Sequence, residues 1–415
     1  MDSSHRSDVL VLGAGIVGLT LALKLQERGR SVLLLDRGQA GGGTSFGNAG
    51  LIERSSVFPY AFPRDWRTLL DYARQRLPHA HYHVNALLPL LPWLARYWFQ
   101  SAPNRYHKAI AGALPLIEHS WSEHAKLIEA AGASDLVVGH GWIKVYRHDA
   151  SALMTIGQAE QSRAYGLQVE ILSRDAARAL EPALADDILG GVRYADSRQI
   201  RDPFALSQRY LLLFQQRGGK LVRGDAQSLQ AERDQWRLDS DEGTCVAPQA
   251  VLALGPQGGD LARRLGYRLP LGQKRGYHMH YAAPSVPLRH TIVDVDNGYA
   301  LAPMARGIRL TTGAEFALRD APATPVQLEM VEPIARRLVS IGARLDAQPW
   351  LGSRPCTADM LPLLGPAPRH RGLWFSFGHA HHGLTQAASS GRLMAELMCG
   401  EAPYIDPTPY RVDRF

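Results

Sequence analysis

Val9-Leu10-Val11-Leu12-Gly13-Ala14-Gly15-Ile16-Val17-Gly18 opens the stretch that decides the fold, and it runs through Leu19-Thr20-Leu21-Ala22-Leu23-Lys24-Leu25 and Ser31-Val32-Leu33-Leu34-Leu35 to Asp36. A short apolar run, a G-x-G-x-x-G turn, an amphipathic helix, a second apolar run and an acid follow in that order. This is the pattern of a dinucleotide-binding βαβ unit. Gly13 permits the tight turn, Gly15 lets backbone approach a pyrophosphate, and Gly18 lets the helix pack closely on the strand. The helix start at Ile16 and Val17 offers free N–H groups and a partial positive charge to phosphates. Asp36 is placed to accept a hydrogen bond from a ribose hydroxyl.

Outward from this unit, composition sets the frame. At 415 residues the chain exceeds one typical core, so roughly two domains are expected. With 46% apolar and 20% charged residues it reads as globular, without a disordered block. The formal charge of +7 is spread along the chain rather than gathered in a basic run, so nucleic acid is not an expected partner. A diffuse positive field suits a dinucleotide or a carboxylate. Cys245, Cys356 and Cys399 are far apart and odd in number, which argues against a disulfide framework and for a reducing, cytoplasmic setting. Met1-Asp2-Ser3-Ser4-His5-Arg6-Ser7 is too polar for a signal peptide. No apolar run reaches the roughly 18 residues of a membrane span. Ala86-Leu87-Leu88-Pro89-Leu90-Leu91-Pro92-Trp93-Leu94, with Arg96, Tyr97, Trp98 and Phe99 after it, reads as a helix buried under the second domain or as a peripheral contact with the inner face of the cell membrane.

The Gly-rich stretch 38–43 and Thr44-Ser45-Phe46-Gly47-Asn48-Ala49-Gly50 follow the ribose acid directly and should face the same nucleotide. Residues 114–131 and 151–165 carry apolar residues at helical spacing. Asp202 and Pro203 start a helix over 204–216 as cap and first residue. Gln249-Ala250-Val251-Leu252-Ala253-Leu254-Gly255 is an apolar strand ending in glycine, far from the fingerprint. Between 274 and 315 the pattern alternates, as in antiparallel sheet. The chain closes with the strand Leu373-Trp374-Phe375-Ser376-Phe377, the turn Gly378-His379-Ala380-His381-His382-Gly383 and a helix over 384–399.

These motifs, taken in order, resemble the FAD-dependent D-amino-acid oxidase superfamily, most closely its bacterial D-amino-acid dehydrogenase branch. Residues 44–50 are close to that branch's T-S-F-A-N-A-G loop. Lys274-Arg275-Gly276-Tyr277 is similar to its K-G-Y segment, and Tyr299-Ala300-Leu301-Ala302-Pro303 to its Y-x-x-P strand. Trp350-Leu351-Gly352-Ser353-Arg354-Pro355 with Asp359 is similar to W-x-G-x-R-P…D, and Gly378-His379 with Gly383 and Thr385 to the terminal G-H…G-x-T loop. The resemblance implies an α/β fold: a discontinuous Rossmann-like FAD-binding domain and a mixed, largely antiparallel substrate domain. The expected boundaries are 1–84, 190–270 and 345–415 for FAD, and 85–189 and 271–344 for substrate.

It further implies oxidative deamination, with a hydride passing from the substrate Cα to flavin N5 and water releasing a 2-oxo acid and ammonia. A secondary-amine oxidase or dehydrogenase acting on D-proline-like or N-alkyl amino acids or glycine is the alternative, and an NAD-dependent dehydrogenase a second. Quinone, an electron-transfer protein or O2 would accept the electrons. Arg354 is the expected carboxylate clamp, since a guanidinium binds a carboxylate through two parallel bonds. Tyr299 is implied as a phenol for the same carboxylate, Tyr277 as pocket wall, and His379 as a group beside the flavin. The expected cofactor set adds Arg37, Ala226, Gly255, Gly378, His382, Gly383, Leu384 and Thr385 to Gly13, Gly15, Ile16, Val17, Gly18, Asp36, Thr44, Ser45, Asn48, Ala49 and Gly50. Cys356 follows the Arg-Pro pair, where the linking cysteine of sarcosine oxidases does not stand, so non-covalent FAD is expected. His379, His381 and His382 crowd together without an acidic or cysteine partner, so no metal is expected.

Overall fold

Val9–Leu12 and Val32–Asp36 pair in parallel at the centre of a six-stranded sheet. Its order is Leu363–Pro366, Leu373–Phe377, Gln249–Leu252, Val9–Leu12, Val32–Asp36 and Lys220–Arg223, all parallel except the first pair. The structure, a computed structural model, describes residues 5–75 and 77–415, so residues 1–4 of the polar N-terminal stretch lie outside it. Both faces of this sheet are covered, which is why its strands read as continuous apolar runs rather than alternating ones.

The fingerprint helix Ile16–Gln26 departs from the amphipathic expectation: Leu19, Leu21, Leu23 and Leu25 are all buried. One side lies on the sheet and the other on the last helix, Gly383–Cys399, where Thr20 Oγ1 donates to the Ala387 carbonyl at 2.8 Å. A helix sandwiched this way needs apolar residues all round. Each buried leucine contributes about 1.5–3 kcal/mol. Gly391 permits the contact, since a Cβ there would meet the Leu21 nitrogen at 3.0 Å.

The second sheet has eleven strands and is mostly antiparallel, with parallel pairs between Thr291–Asp294 and Val137–Tyr146 and between Ala314–Phe316 and Ala80–Tyr82. One face packs on the helix Val326–Leu338 through Met279, Leu301, Leu310 and Val331. The other face turns toward the first sheet. Leu51–Ile52, Ala80–Tyr82, Gly190–Ile200 and Trp350–Thr357 all belong to this second sheet, although the sequence boundaries assign them to the nucleotide side. Strands follow their hydrogen-bond partners, and here the chain crosses between layers inside continuous segments.

A second correction concerns residues assigned to the substrate side. The helices Pro103–Glu118 and Ser120–Ala130 share the core of the fingerprint helix through Leu116, Ile117, Leu127 and Ile128. Lys24 pairs with Glu123 at 3.1 Å and a His124 ring nitrogen lies 2.8 Å from the Leu384 carbonyl oxygen. The single helical pattern over 114–131 is thus split at His119. The segment around Pro89 is a helix, Val84–Gln100, that continues through Pro89 and Pro92. It buries Ala86, Trp93 and Tyr97 and leaves Val84, Leu88, Leu91, Trp98 and Phe99 exposed.

Candidate active site

One cavity of about 1980 Å³ runs from the fingerprint turn to Arg354. A site for one drug-sized ligand occupies roughly 300–1,000 Å³, so this cavity has room for a dinucleotide and a substrate together.

At one end the wall is backbone. Gly13 has φ +107°, and a Cβ there would lie 2.5 Å from the Ala253 carbonyl oxygen, at the end of the neighbouring strand. At Gly15 a Cβ would meet nothing within 4 Å, which leaves open space above the helix start where a pyrophosphate belongs. Gly18 sits 1.9 Å, measured from its would-be Cβ, from the Gly13 carbonyl oxygen, so it works in packing behind the cavity. Asp36 Oδ2 accepts from the Ala14 N–H at 2.8 Å and Oδ1 from the Gly38 N–H at 2.9 Å, and its remaining lone pairs stay available to a ribose. Ile16, Val17, Arg37, Ala226 and Gly255 line the same end. Open space at Gly15, an oriented carboxylate and an uncapped helix start fit a dinucleotide.

The loop 44–50 forms the middle. Thr44, Ser45, Asn48 and Ala49 line the cavity. Thr44 Oγ1 also donates to the Ser353 carbonyl at 2.8 Å, tying the loop to the Arg354 strand. Where the resembling loop has alanine this chain has Gly47, because a Cβ there would lie 1.9 Å from the Trp350 ring. Arg309 holds the loop from behind, donating to the carbonyls of Phe46 at 2.8 Å and Asn48 at 2.6 Å. Gly50, at φ +81°, makes a turn against the Ile200 carbonyl. Thr385 sits behind the wall too: its hydroxyl donates to the Leu51 carbonyl and accepts from the Glu53 N–H. Gly378, His379, His382, Gly383 and Leu384 line the cavity at the start of the last helix. His382 caps that helix without a side-chain bond, so its N-terminal dipole opens onto the cavity unscreened. Burial pulls the imidazole of His379 down to about 3 and that of His382 to about 4, so both are neutral, and a His379 ring nitrogen lies 3.0 Å from Ser390 Oγ.

At the far end the wall is side chain. Arg354 leaves its strand on the same face as Lys274 and Gly276, its cross-strand neighbours. Its guanidinium lies over Gly276, where a Cβ would come within 2.5 Å of both Nη atoms. Nη1 donates to the Arg275 and Gly313 carbonyls at 3.2 and 3.3 Å, and among the described residues no carboxylate pairs with it. Tyr60 stands beside it, its ring 4.6 Å from that of His381. Tyr60 lines the cavity and is 60% exposed. Burial, then the Glu53 carboxylate, push the phenol up, and the Arg354 charge pulls it back.

Two expected site residues are corrected here. Tyr277 and Tyr299 border the cavity, but their side chains leave the sheet on the opposite face, toward Val326–Leu338. The Tyr277 hydroxyl contacts both Glu315 carboxylate oxygens at 3.1 and 3.2 Å and accepts from the Thr324 N–H at 2.7 Å. Tyr299 is buried beside the Arg147–Asp294 ion pair, whose Asp294 charge, after burial, pushes its phenol up. Side chains alternate along a strand, so Tyr277, one step from Gly276, and Tyr299, one step from Ala300 opposite Thr311, leave the other face. Sequence reasoning missed Tyr60, Glu53, Lys144 and Lys274. Lys274 was legible in principle, standing two positions before Gly276 in a strand pattern. The other three come from segments that nothing in their local pattern links to the site.

The terminal His379, His381 and His382 do not form a metal-like cluster. The two groups among the described residues that do, His81–His83–Glu315 and His278–His280–Asp346, each hold an arginine: Arg275 on Glu315 and Arg309 on His280.

The FAD dependent oxidoreductase family matches residues 8–397. The chain is 30% identical over 421 residues to a D-amino acid dehydrogenase of Paramagnetospirillum magneticum, covering 98% of each. It is 29% identical over 419 residues to a D-amino-acid oxidase of Bradyrhizobium diazoefficiens, again covering 98% of each. Among solved structures, glycine oxidase from Geobacillus kaustophilus shares the fold, with a TM-score of 0.75 at 24% identity over 99% of both chains.

Proposed function

Because the chain belongs to the FAD-dependent oxidoreductase family, with FAD rather than NAD as its cofactor, we propose that it oxidatively deaminates an amino acid, a D-amino acid in the first instance. The observation that carries this reading is Arg354: an enclosed guanidinium without a carboxylate partner among the described residues, at the opposite end of the cavity from the dinucleotide turn. A substrate carboxylate supplies the missing counter-ion through two charge-assisted bonds. Tyr60 donates to the same carboxylate. The backbone from Gly13 to Val17 and Asp36 would hold the ADP half of FAD, and the 44–50 loop with Gly378 to Leu384 its ring. FAD, when bound, takes up the hydride that leaves Cα. The neutral His379 and His382 and the enclosed walls keep charge and water away from that centre, and the protein's main task is to hold Cα in place.

Anaerobic bleaching of the yellow protein across D-, L- and N-alkyl amino acids tests the reading. Bleaching by D-amino acids is expected; bleaching by N-alkyl or cyclic amines alone would move the assignment to the secondary-amine class. Absence of bleaching by any carboxylated amine overturns it.

For the electron acceptor we favour a quinone carried in a membrane surface. Among the described residues no helix is long and apolar enough to cross a bilayer. The exposed Val84, Leu88, Leu91, Trp98 and Phe99 stand with Trp66 and Leu70 of the preceding helix. Arg64 stacks on Trp98 at 3.9 Å and Arg105 on Phe99 at 3.9 Å. Apolar and aromatic side chains ringed by arginine suit an anionic lipid surface. Leu69, Leu87 and Leu94 of the same two helices line the cavity. Co-sedimentation with vesicles of anionic phospholipid is expected and should be lost in Leu88→Glu/Trp98→Glu; equal sedimentation of both proteins would remove the membrane contact.

A further inference from the structure

Beyond Tyr60 the cavity has a second charged end. Its floor is a row of directly opposed residues on four strands: Lys144 faces Val293, Val293 faces Ala300, and Ala300 faces Thr311. All of them line the cavity. Three strand spacings of about 4.8 Å place the Lys144 backbone roughly 14 Å from the Thr311 strand. The chain beyond that strand carries the Gly313 carbonyl on which the Arg354 guanidinium rests. Arg354 and Lys144 therefore leave the same face of the sheet, at opposite ends of a floor of small residues.

Lys144 is held by neutral groups among the described residues. Its Nζ donates to Gln158 Oε1 at 2.9 Å and lies 5.5 and 5.3 Å from the ring centres of Trp142 and Tyr194. Among the described residues no carboxylate pairs with it. Burial pulls the ammonium down to about 8, partly offset by the Glu53 charge. Glu53 lines the cavity nearby, accepts from Ser56 Oγ at 2.6 Å, and is pushed toward its neutral form by burial. Asp294 is already paired with Arg147. The substrate end thus sets Arg354, Lys274 and Lys144 against one carboxylate, and a single substrate carboxylate on Arg354 leaves an excess of positive charge. Such an end favours a second anion over a cation.

We propose that Lys144 binds a second anionic group of the substrate, so that the preferred substrates are amino acids or secondary amines bearing two carboxylates. This deepens the amine-oxidation reading and rests on it for the word substrate. The pocket itself can be tested without turnover. Dicarboxylates and matched monocarboxylates that carry no amine are titrated into the oxidised holoenzyme, and binding is read from the perturbed flavin absorbance. A dicarboxylate of one chain length is expected to bind roughly tenfold to a hundredfold tighter than the monocarboxylate of the same length. That ratio should fall about tenfold in Lys144→Gln and be restored in Lys144→Arg. Equal affinities in the unmodified protein overturn the proposal whatever the variants do. So does an unchanged ratio in a flavin-replete Lys144→Gln, or tighter binding of a matched ω-amino acid, which would give the role to Glu53. Dicarboxylate selectivity in a protein that no amine bleaches would sustain the anion site and refute the deamination reading; bleaching without that selectivity would do the reverse.

Discussion

At the dinucleotide end of the cavity the chain works by omission, and at the amine end by charge. Gly15 leaves open space above a helix start, while Arg354, Lys274 and Lys144 bring three cations to a wall where Glu53 stands without an ion pair among the described residues. The first end is read by backbone N–H groups, which every residue owns and only a side chain can obstruct. The second is read by side-chain head groups, whose value depends on which strand face they leave from. Mutations at the first end should therefore abolish cofactor binding outright, and those at the second should grade substrate affinity.

The contrast is sharpest at Gly15. Gly15→Val fills the space above the helix start and should yield colourless, flavin-free protein; a fully yellow mutant would break the comparison at its root. Next in size is Arg354→Ala. Each charge-assisted bond contributes about 1.5–3 kcal/mol, so losing a pair should raise KM by roughly 10²–10⁴-fold while FAD stays bound. Gly276→Ala tests the same clamp more gently. Its Cβ would stand 2.5 Å from the guanidinium, so Arg354 must shift, and KM should rise about tenfold. An unchanged KM in both would remove the clamp.

A smaller effect separates two tyrosines. Tyr60→Phe deletes one hydroxyl bond to a charged group and should raise KM about tenfold. Tyr299→Phe, on the opposite face of the sheet, should change KM by less than about twofold. The reverse order in steady-state kinetics would return the carboxylate to Tyr299.

The smallest effect concerns pH, at the joint between the two ends. His379 is held near 3 by burial, below the ordinary histidine value of about 6.5. The unfolded chain therefore binds the proton more readily. The stability from neutral His379 is complete above pH 6.5 and is lost as pH falls toward 3, by about 1 kcal/mol between pH 6.5 and 5.5. Unfolding midpoints measured at those two pH values should draw closer in His379→Gln; an equal gap would show that this ring titrates freely in the folded protein.

The βαβ unit was legible because its constraints are local. Gly13, Gly15, Gly18 and Asp36 sit in one strand–turn–helix–strand segment and answer to backbone geometry within it. The packing of Ile16–Gln26 was not, since amphipathicity cannot reveal that a second helix, from residues 383–399, covers its outer side. The need for glycine at Gly47 is tertiary as well, since the Trp350 ring stands where a methyl group would be.

By itself the sequence determined the FAD-dependent family and its βαβ turn, and it marked Arg354 as the expected substrate clamp. Backbone turns and short motifs encode those facts within a few residues. Only the tertiary structure decided which aromatic and which cations stand beside Arg354. Strand register sets that choice, and one step along a strand moves a side chain to the other face. Tyr277 and Tyr299 fall on the wrong side of that step, while Lys144 falls on the right side through pairing with a strand more than a hundred residues away in the chain (Lys144 opposite Val293). Tyr60 arrives from a loop whose own pattern says nothing of the site.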